Sequence, residues 1–318
     1  MASLLAALDL GSNSFRLSTG RVVHCAGKPR IQVLTRLKET VQLAAGLDQS
    51  GILDRAAIQR GVHVLSMFAE HLAQRPVTCV RVVATNTLRL TQNLDEVLPE
   101  FHTALGYPIE IISGDEEARL IFVGVNHELP AGDQHRLMVD IGGGSTEVIL
   151  GKGDQPLHLT SLPMGCVSYT QRFFDSGLIT AERMDQAVSA AHQEIAPIVP
   201  LYQQAGWQQV YGSSGTAKGL LAVLQQGGMS DQGITHQGLL ALRRKLVADG
   251  EVRIRQLPGL KPDRARVLAG GLAIMLALFE ALKIDQPMLA GEGALRMGVM
   301  TEMAGLNTHD GLCNAQTK

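Results

Sequence analysis

Apolar runs of strand length alternate along this chain with stretches in which apolar residues recur every three or four positions. The short runs are typical of buried strands and the wider spacing is typical of helices with one buried face, so the alternation predicts α/β layers. In the first half the pattern predicts strands near 4–10, 15–24, 31–41, 77–84 and 109–112, and helices near 54–75, 93–104 and 115–127. In the second half it predicts strands near 136–141, 146–151, 156–160 and 208–212, helices near 166–174 and 180–203, and mostly helix from 214 onward.

The segment from His127 to His135 separates the two halves, because Pro130 and Gly132 interrupt the helical pattern and polar residues surround them. The second half then repeats the order of strands and helices that opens the chain. Packing of the last helices on the first domain is left open by the sequence. The predicted divisions are an N-terminal domain over 1–127, a second domain over 128–305 and a tail over 306–318.

Length and composition agree with two domains, since 318 residues with 45% hydrophobic content can fill two cores. The formal net charge of -2 argues against general attraction to nucleic acid or to membranes. The cysteines are widely spaced and form no C-x-x-C pair, which is typical of reduced thiols and not of zinc ligands or a disulfide framework. They are Cys25, Cys79, Cys166 and Cys313.

Neither a signal peptide nor a membrane helix is expected. The stretch from Met1 to Leu8 lacks the basic start of a signal peptide, and Asp9 ends its apolar run. The run from Val267 to Phe279 is shorter than the roughly 20 residues that a membrane helix requires, so it is interpreted as a buried helix. We therefore expect a cytoplasmic protein without membrane insertion.

A glycine-rich turn lies in "MVDIGGGSTEVIL", Met138–Leu150, between two apolar runs. Glycine admits positive φ and close approach, so Gly142–Gly144 can present backbone N–H groups to an anion such as phosphate. Asp140 and Glu147 would repel phosphate unless a hard cation, Mg2+ or another divalent ion such as Mn2+, lay between them. The stretch therefore indicates phosphate plus metal, and a plain glycine-rich hairpin is the structural alternative.

A similar hairpin opens the chain, "LLAALDLGSNSFRLSTGRV", in which Asp9 precedes the short turn Gly11–Ser14. If the two turns faced one another, they could hold successive phosphates of one ligand. A third turn, "YGSSGTAKG", lacks the spacing of a Walker A loop, so Lys218 is assigned to the helix that follows.

An acidic helix start lies between the two hairpins, in "IEIISGDEEARLIFVGV". Ser113 can cap a helix with three acids in its first turn, which is an ordinary structural arrangement. The spacing of Glu117 from Leu120 and Gly124, however, places its carboxylate beside the buried stripe of the helix. A carboxylate in that position could take a proton from water.

Several of these motifs closely resemble the exopolyphosphatase and guanosine pentaphosphate phosphatase family, namely "LDLGSNSFRL", "ATNTLR", "ISGDEEARLIFVGV", "DIGGGSTEV", "MGCVSYTQRFF" and "GSSGTAKG". This family belongs to the superfamily of acetate kinase, sugar kinases, heat-shock chaperone ATPases and actin. The resemblance runs from about Ala6 to Met303 with the motifs in order. It implies two actin-like (ribonuclease H-like) α/β domains facing across a cleft.

The resemblance is to a short form of the family, because longer relatives continue into an α-helical, HD-like region. His309 and Asp310 are accordingly assigned to a tail and not to an HD metal pair, which would need further ligands. In the closing stretch "LAGEGALRMGVM", Met297 occupies a commonly acidic position, which leaves the role of Glu292 open.

The resemblance also implies roles for individual residues. Glu117 matches the catalytic carboxylate that positions and deprotonates water, which makes it the general base. Asp140 and Glu147 match acids that hold Mg2+ directly or through water. Arg89 matches an arginine that binds phosphate through its planar fork, although an isolated arginine is usually a solvated surface residue. The substrate-binding residues of the two loops are Ser12, Asn13, Ser14, Gly142, Gly143, Gly144 and Ser145.

The first functional hypothesis is exopolyphosphatase activity, which releases orthophosphate from the end of inorganic polyphosphate. The second is hydrolysis of guanosine pentaphosphate to the tetraphosphate by the same water, base and metal. A non-catalytic sensor of polyphosphate or nucleotide is a third. The basic cluster from Arg243 to Arg266 is either a polyphosphate track or a solvated helix face. A homodimer is expected by analogy with relatives.

Overall fold

The structure, a computed structural model, describes residues 4–25, 28–291 and 293–305. Strands and helices alternate along these residues, as the apolar pattern predicts. The strands are β1 (Leu4–Leu10), β2 (Ser14–Cys25), β3 (Lys28–Thr40), β4 (Val77–Ala84), β5 (Ile109–Ile111), β6 (His135–Ile141), β7 (Thr146–Lys152), β8 (Gln155–Leu162), β9 (Gln209–Gly212) and β10 (Leu289–Ala290). The helices are α1 (Arg55–Ala73), α2 (Asn86–Leu90), α3 (Leu94–Leu105), α4 (Gly114–Glu128), α5 (Cys166–Phe173), α6 (Ala181–Ile195), α7 (Val199–Ala205), α8 (Gly215–Gln226), α9 (His236–Asp249), α10 (Pro262–Ala265), α11 (Leu268–Leu282) and α12 (Leu295–Met303), with 3-10 turns at Leu43–Gly46 and Ile254–Gln256.

The described residues form two compact units. Unit 1 contains residues 4–130 together with 293–305, and unit 2 contains residues 131–291. Each unit has one five-stranded mixed sheet, in the order β3-β2-β1-β4-β5 in unit 1 and β8-β7-β6-β9-β10 in unit 2. The predicted repetition of the opening plan in the second half is therefore confirmed.

The central strand of each sheet has two kinds of neighbour. In unit 1, β1 pairs antiparallel with β2 and parallel with β4. In unit 2, β6 pairs antiparallel with β7 and parallel with β9. This arrangement places a hairpin turn and the carboxyl end of a parallel strand at the same edge of each sheet.

Each unit has its own apolar core. In unit 1, α1 packs its buried stripe against α3, and the rings of Phe15 and Phe101 meet edge to face with centroids 5.9 Å apart. In unit 2, nearly every residue of α11 is buried, which confirms the prediction of a buried helix within this apolar run. The Tyr202 hydroxyl, in the same unit, donates to the Val148 carbonyl at 2.7 Å.

Among the described residues, no helix is both long enough and apolar enough to span a bilayer.

The long helix predicted over 180–203 is wrong, because the chain breaks there into α6 and α7. Pro197 has no backbone N–H to continue the helical ladder, and Pro200 occupies the start of α7. The amide of Ile198 instead bonds to the carbonyl of Ile195 at 3.0 Å, which tightens the turn between the two helices.

The last described helix, α12, packs within unit 1 against α4 and β1. The sequence predicts α12 in the second division, over 128–305, and allows the last helices to pack on the first domain. The structure places α12 in unit 1. Two glycines explain the contact. A Cβ at Gly298 would overlap the Leu120 carbonyl oxygen, and one at Gly124 would overlap the Ala294 carbonyl oxygen. The two helices therefore approach backbone to backbone, whereas residues 306–318 and Glu292 lie outside the described residues.

This contact predicts opposite effects for two glycine-to-alanine changes. Gly298→Ala should lower the free energy of unfolding by roughly 1–3 kcal/mol, because the added methyl overpacks the contact with α4. Gly219→Ala, in α8, is the matched control, since a Cβ there meets no atom within 4 Å. The control should stabilise the protein by up to about 1 kcal/mol through helix propensity. Urea unfolding measures both changes, and a neutral or stabilising Gly298→Ala would contradict the close contact.

Candidate active site

The turn between β1 and β2 is held in place by the segment that follows β3. The Asn13 carbonyl accepts hydrogen bonds from the amides of 41–42 at 3.1 and 2.9 Å, and the Ser12 carbonyl accepts one from Ala44 at 2.9 Å. The hydroxyl of Ser14 is buried and has no hydrogen-bond partner within the described residues. The three predicted loop residues thus lie next to one another, and the carbonyl groups of Ser12 and Asn13 already accept hydrogen bonds from the segment after β3.

The structure brings Glu117 and Arg89 together. Ser113 caps α4, since its hydroxyl accepts from the Glu116 amide at 3.1 Å, and the predicted position of Glu117 on the buried stripe is confirmed by its 7% exposure. Arg89, near the end of α2, donates through Nη1 to the Ile112 carbonyl at 2.7 Å. Both of its terminal nitrogens lie 3.4 Å from Glu117 Oε2. Arg89 therefore contacts the predicted base, whereas its predicted contact with phosphate stays a prediction.

Glu116, the neighbouring acid, belongs to a different set of contacts. Its carboxylate accepts from Arg119 at 2.7 and 2.8 Å, and Arg81 lies 4.0 Å from it. Arg81 also pairs with Glu302 of α12 at 2.9 Å. Glu116 thus takes part in a partly exposed ion network that joins α4 to α12, while Glu117 faces the interior.

The turn between β6 and β7 differs in detail from the prediction of consecutive glycine amides open to an anion. The Gly142 amide donates to the Ser145 carbonyl at 2.9 Å, so this amide closes the turn. The carbonyls of Gly142 and Gly143 each accept from an amide at the start of α5, Cys166 and Val167, both at 2.9 Å. None of the three glycines has positive φ. The Gly142 amide is therefore removed from the predicted phosphate donors, and the amides of residues 143–145 stay a prediction.

Two titratable side chains of α5 have raised pKa values. Burial raises the pKa of the Cys166 thiol above its usual value. Burial, together with the nearby carboxylate of Glu194, raises the pKa of Tyr169 to about 12. Because a cysteine nucleophile reacts as the thiolate, Cys166 is a packing residue of this loop.

Asp140 and Glu147 are direct cross-strand partners in the β6–β7 pair. Residues opposite one another in an antiparallel pair project to the same face, so the two carboxylates lie side by side. Ser213 donates to Asp140 Oδ2 at 2.6 Å, and Ser161 donates to Glu147 Oε1 at 2.8 Å. The sequence motifs did not indicate either serine, although Ser213 lies in the third turn, "YGSSGTAKG".

This carboxylate pair fits a hard divalent cation. Oxygen ligands suit Mg2+, which usually takes one or two carboxylates and completes its shell with water and phosphate oxygens. Across the described part of the chain, no group of three or more His, Cys, Asp or Glu side chains is arranged for a metal. Asp140 and Glu147 are the ligands that the sequence predicts, and the cation itself stays a prediction.

The third turn and the basic cluster also lie in unit 2. Lys218 is on α8, as predicted, and the Ser214 hydroxyl caps that helix by accepting from the Ala217 amide at 3.0 Å. Several cations of the basic cluster pair with carboxylates. The pairs are Arg243 with Asp185 at 2.6 Å, Lys245 with Asp249 at 3.0 Å and Arg253 with Glu251 at 3.1 Å. This pairing favours the solvated helix face over a polyphosphate track.

In each unit, a buried or half-buried acid near the end of the central strand precedes a turn rich in glycine or serine. The sheet order and the hairpin-first topology define the class of the molecule as an α/β protein of the actin-like fold.

The chain belongs to the Ppx/GppA phosphatase family, whose sequence model matches residues 22–307. A curated relative from Vibrio vulnificus (strain YJ016), named guanosine-5'-triphosphate,3'-diphosphate pyrophosphatase, is 43% identical over 300 residues. The match covers 94% of this chain and 59% of the relative, so the chain spans less than two thirds of that protein.

Solved structures agree on the fold. The crystal structure of the Aquifex aeolicus member of the Ppx/GppA family is 24% identical, with a TM-score of 0.77 over 98% of this chain and 100% of that one. An exopolyphosphatase from Cytophaga hutchinsonii is 23% identical, with a TM-score of 0.81 over 95% and 98%. At such identities the likeness establishes the fold alone.

The contact between Arg89 and Glu117 predicts that Arg89→Lys slows phosphate release. Lysine keeps the charge but loses the planar fork that holds Ile112 and Glu117 at once, and misplacement of a reacting group can lower kcat by up to roughly 100-fold. Steady-state assays of orthophosphate release measure the effect. Arg55→Lys is the control, because Arg55 forms an exposed pair with Glu100 in the same unit and its loss should leave kcat unchanged. Wild-type kinetics in Arg89→Lys would place Arg89 outside the site.

Proposed function

We propose that this chain is a phosphoric anhydride hydrolase that removes the terminal phosphoryl group of guanosine pentaphosphate. The observation that carries the chemical part is the buried Glu117 carboxylate, oriented on one side by Arg89. Membership of a phosphatase family supports hydrolysis. The chain spans only part of its curated relatives, so both activity and substrate are proposals.

The reaction needs one proton acceptor and fixed hydrogen-bond donors. Glu117 takes a proton from a water molecule, whose oxygen attacks the terminal phosphorus. The bond from that phosphorus to its bridging oxygen breaks, which leaves orthophosphate and a ligand shorter by one phosphoryl group. Because such transfers depend mainly on positioning and on stabilising negative charge, Ser12–Ser14 and the amides of 143–145 would bind the phosphate oxygens.

Asp140 and Glu147 would hold the divalent cation, Mg2+ or Mn2+, with Ser213 and Ser161 fixing the orientation of the two carboxylates. When bound, the cation would neutralise charge that develops on the phosphate oxygens. Arg89 would add a further positive group through its fork.

The sequence alone favours polyphosphate as the first candidate substrate, whereas the comparison with relatives favours guanosine pentaphosphate. The name of the 43% identical relative supports guanosine pentaphosphate. Arg243 and Lys245 of the basic cluster already pair with Asp185 and Asp249, which weakens the argument for a track that binds a long polyanion. Polyphosphate remains the second candidate, because the same base and cation would serve its terminal phosphoryl group.

Initial rates of orthophosphate release test the proposal, measured for guanosine pentaphosphate, short polyphosphate and long polyphosphate with Mg2+ and with a chelator. We expect the highest kcat/KM for guanosine pentaphosphate and loss of activity in the chelator. A higher kcat/KM for either polyphosphate would select the second candidate. Binding of these ligands without any turnover would select the sensor.

The role of Glu117 is tested by Glu117→Gln, which keeps the shape of the side chain and removes the base. We expect a folded protein of near-native thermal stability that binds substrate, with kcat lower by roughly 10²- to 10⁴-fold. Glu116→Gln is the matched control from the same helical turn and should retain most turnover, because Glu116 contacts Arg119 in the partly exposed network. If Glu117→Gln keeps its turnover, or if Glu116→Gln alone abolishes it, the assignment of the base is wrong.

A further inference from the structure

Arg296, near the start of α12, contacts two strands of the unit 1 sheet. Its Nε donates to the Ser18 hydroxyl of β2 at 2.8 Å, and its Nη1 lies 3.5 Å from Asp9 Oδ2 of β1. Its side chain is 19% exposed, so the guanidinium is largely withdrawn from water. Since Ser18 pairs with Ala7, two residues before Asp9, both contacts lie on the same face of the sheet.

The contact fixes the orientation of the Asp9 carboxylate. One oxygen, Oδ2, faces Arg296, whereas Oδ1 lies 3.4 Å from the position that a Cβ on Gly11 would occupy. Gly11 begins the turn that carries Ser12–Ser14. Asp9 therefore contacts Arg296 through one oxygen and lies close to the start of the first loop with the other.

The same helix also touches the helix that carries Glu117. Gly298, two residues after Arg296, lies against the Leu120 carbonyl, which is three residues beyond Glu117 on α4. At the other end of α12, Glu302 pairs with Arg81 and, at 2.5 Å, with Arg119. One short helix thus contacts both the acid of the first loop and the helix of the base.

We propose that Arg296 is a positioning residue for the hydrolytic reaction: through Asp9 it fixes the first loop relative to Glu117. The inference rests on the proposed function, since it assigns Arg296 a role in that same site. Arg296 touches no reacting atom in this assignment and acts only through Asp9. Ordinary stabilisation of the fold is the competing explanation, and it predicts no specific coupling to Asp9 in turnover.

A double-mutant cycle in kcat separates the two explanations. We expect Arg296→Gln to lower kcat by roughly 10- to 100-fold, as is usual when the partner of a site residue is lost, with a smaller change in KM. Arg296→Gln combined with Asp9→Asn should be little slower than Asp9→Asn alone, because residues that act as one unit are not additive. Arg296→Lys should restore part of the loss by keeping a cation beside Asp9.

Arg21→Gln is the matched control from the same strand as Ser18. Its Nε donates to a side chain across the sheet, Gln32 Oε1, at 2.9 Å. Arg21 is exposed and pairs with Leu4, at the other end of β1 from Asp9. Its kcat and KM should equal those of the wild type. Thermal unfolding of every variant checks that the assayed protein is folded, and the cycle is run with Arg296→Lys if Arg296→Gln does not fold.

The outcomes distinguish this inference from the function on which it rests. If the wild type is active and the Arg296 variants keep full kcat, the role of Arg296 alone is wrong. The same holds if the losses in kcat from Arg296→Gln and Asp9→Asn simply multiply in the double mutant. A folded wild type that hydrolyses none of the three phosphate substrates overturns the proposed function, and the role of Arg296 in it.

Discussion

In each sheet the central strand has one antiparallel and one parallel neighbour, and this pairing determines where the candidate site residues lie. Because β1 pairs antiparallel with its hairpin partner and parallel with β4, the first loop and the residues after β4 meet at one edge. The Thr85 amide bonds to the Leu10 carbonyl there at 3.4 Å, and Arg89 follows one turn later. In unit 2 the equivalent bond, from the Ser213 amide to the Val139 carbonyl at 3.0 Å, brings Ser213 beside Asp140. The carboxyl edges of such sheets are the usual place for ligands in open α/β folds.

Buried and half-buried carboxylates require partners, and both units supply them. In unit 1, Asp9 and Glu117 each lie beside an arginine, which balances charge within the protein. In unit 2, hydroxyl groups donate to Asp140 and Glu147, and a hydroxyl satisfies a lone pair without contributing a formal charge. Like charges directly opposite in a sheet are unfavourable, so a cation that joins the pair would gain from their proximity.

Local sequence signals predicted much of this arrangement. Apolar alternation placed the strands of both hairpins, the Ser113 cap placed the start of α4, and helical spacing placed Glu117 on the buried stripe. Local signals failed where a contact joins distant residues. Arg296 and Asp9 are 287 positions apart, and nothing near either residue indicates the other. The break at Pro197 was a local signal that the apolar pattern of α6 and α7 outweighed, and β10 is too short, at two residues, to show alternation.

The closed form of the second loop bears on how a phosphate would bind. The Gly142 amide and the carbonyls of Gly142 and Gly143 are used within the protein, so they hold the turn in one shape against α5. A loop that is already ordered loses little conformational freedom when a ligand arrives, and its remaining amides need not rearrange as negative charge develops. A Cβ at Gly165, the residue before α5, would overlap the Gly143 carbonyl oxygen, so the turn and the start of α5 approach backbone to backbone. The close approach to α5 thus holds the turn in shape without positive φ at any of its three glycines.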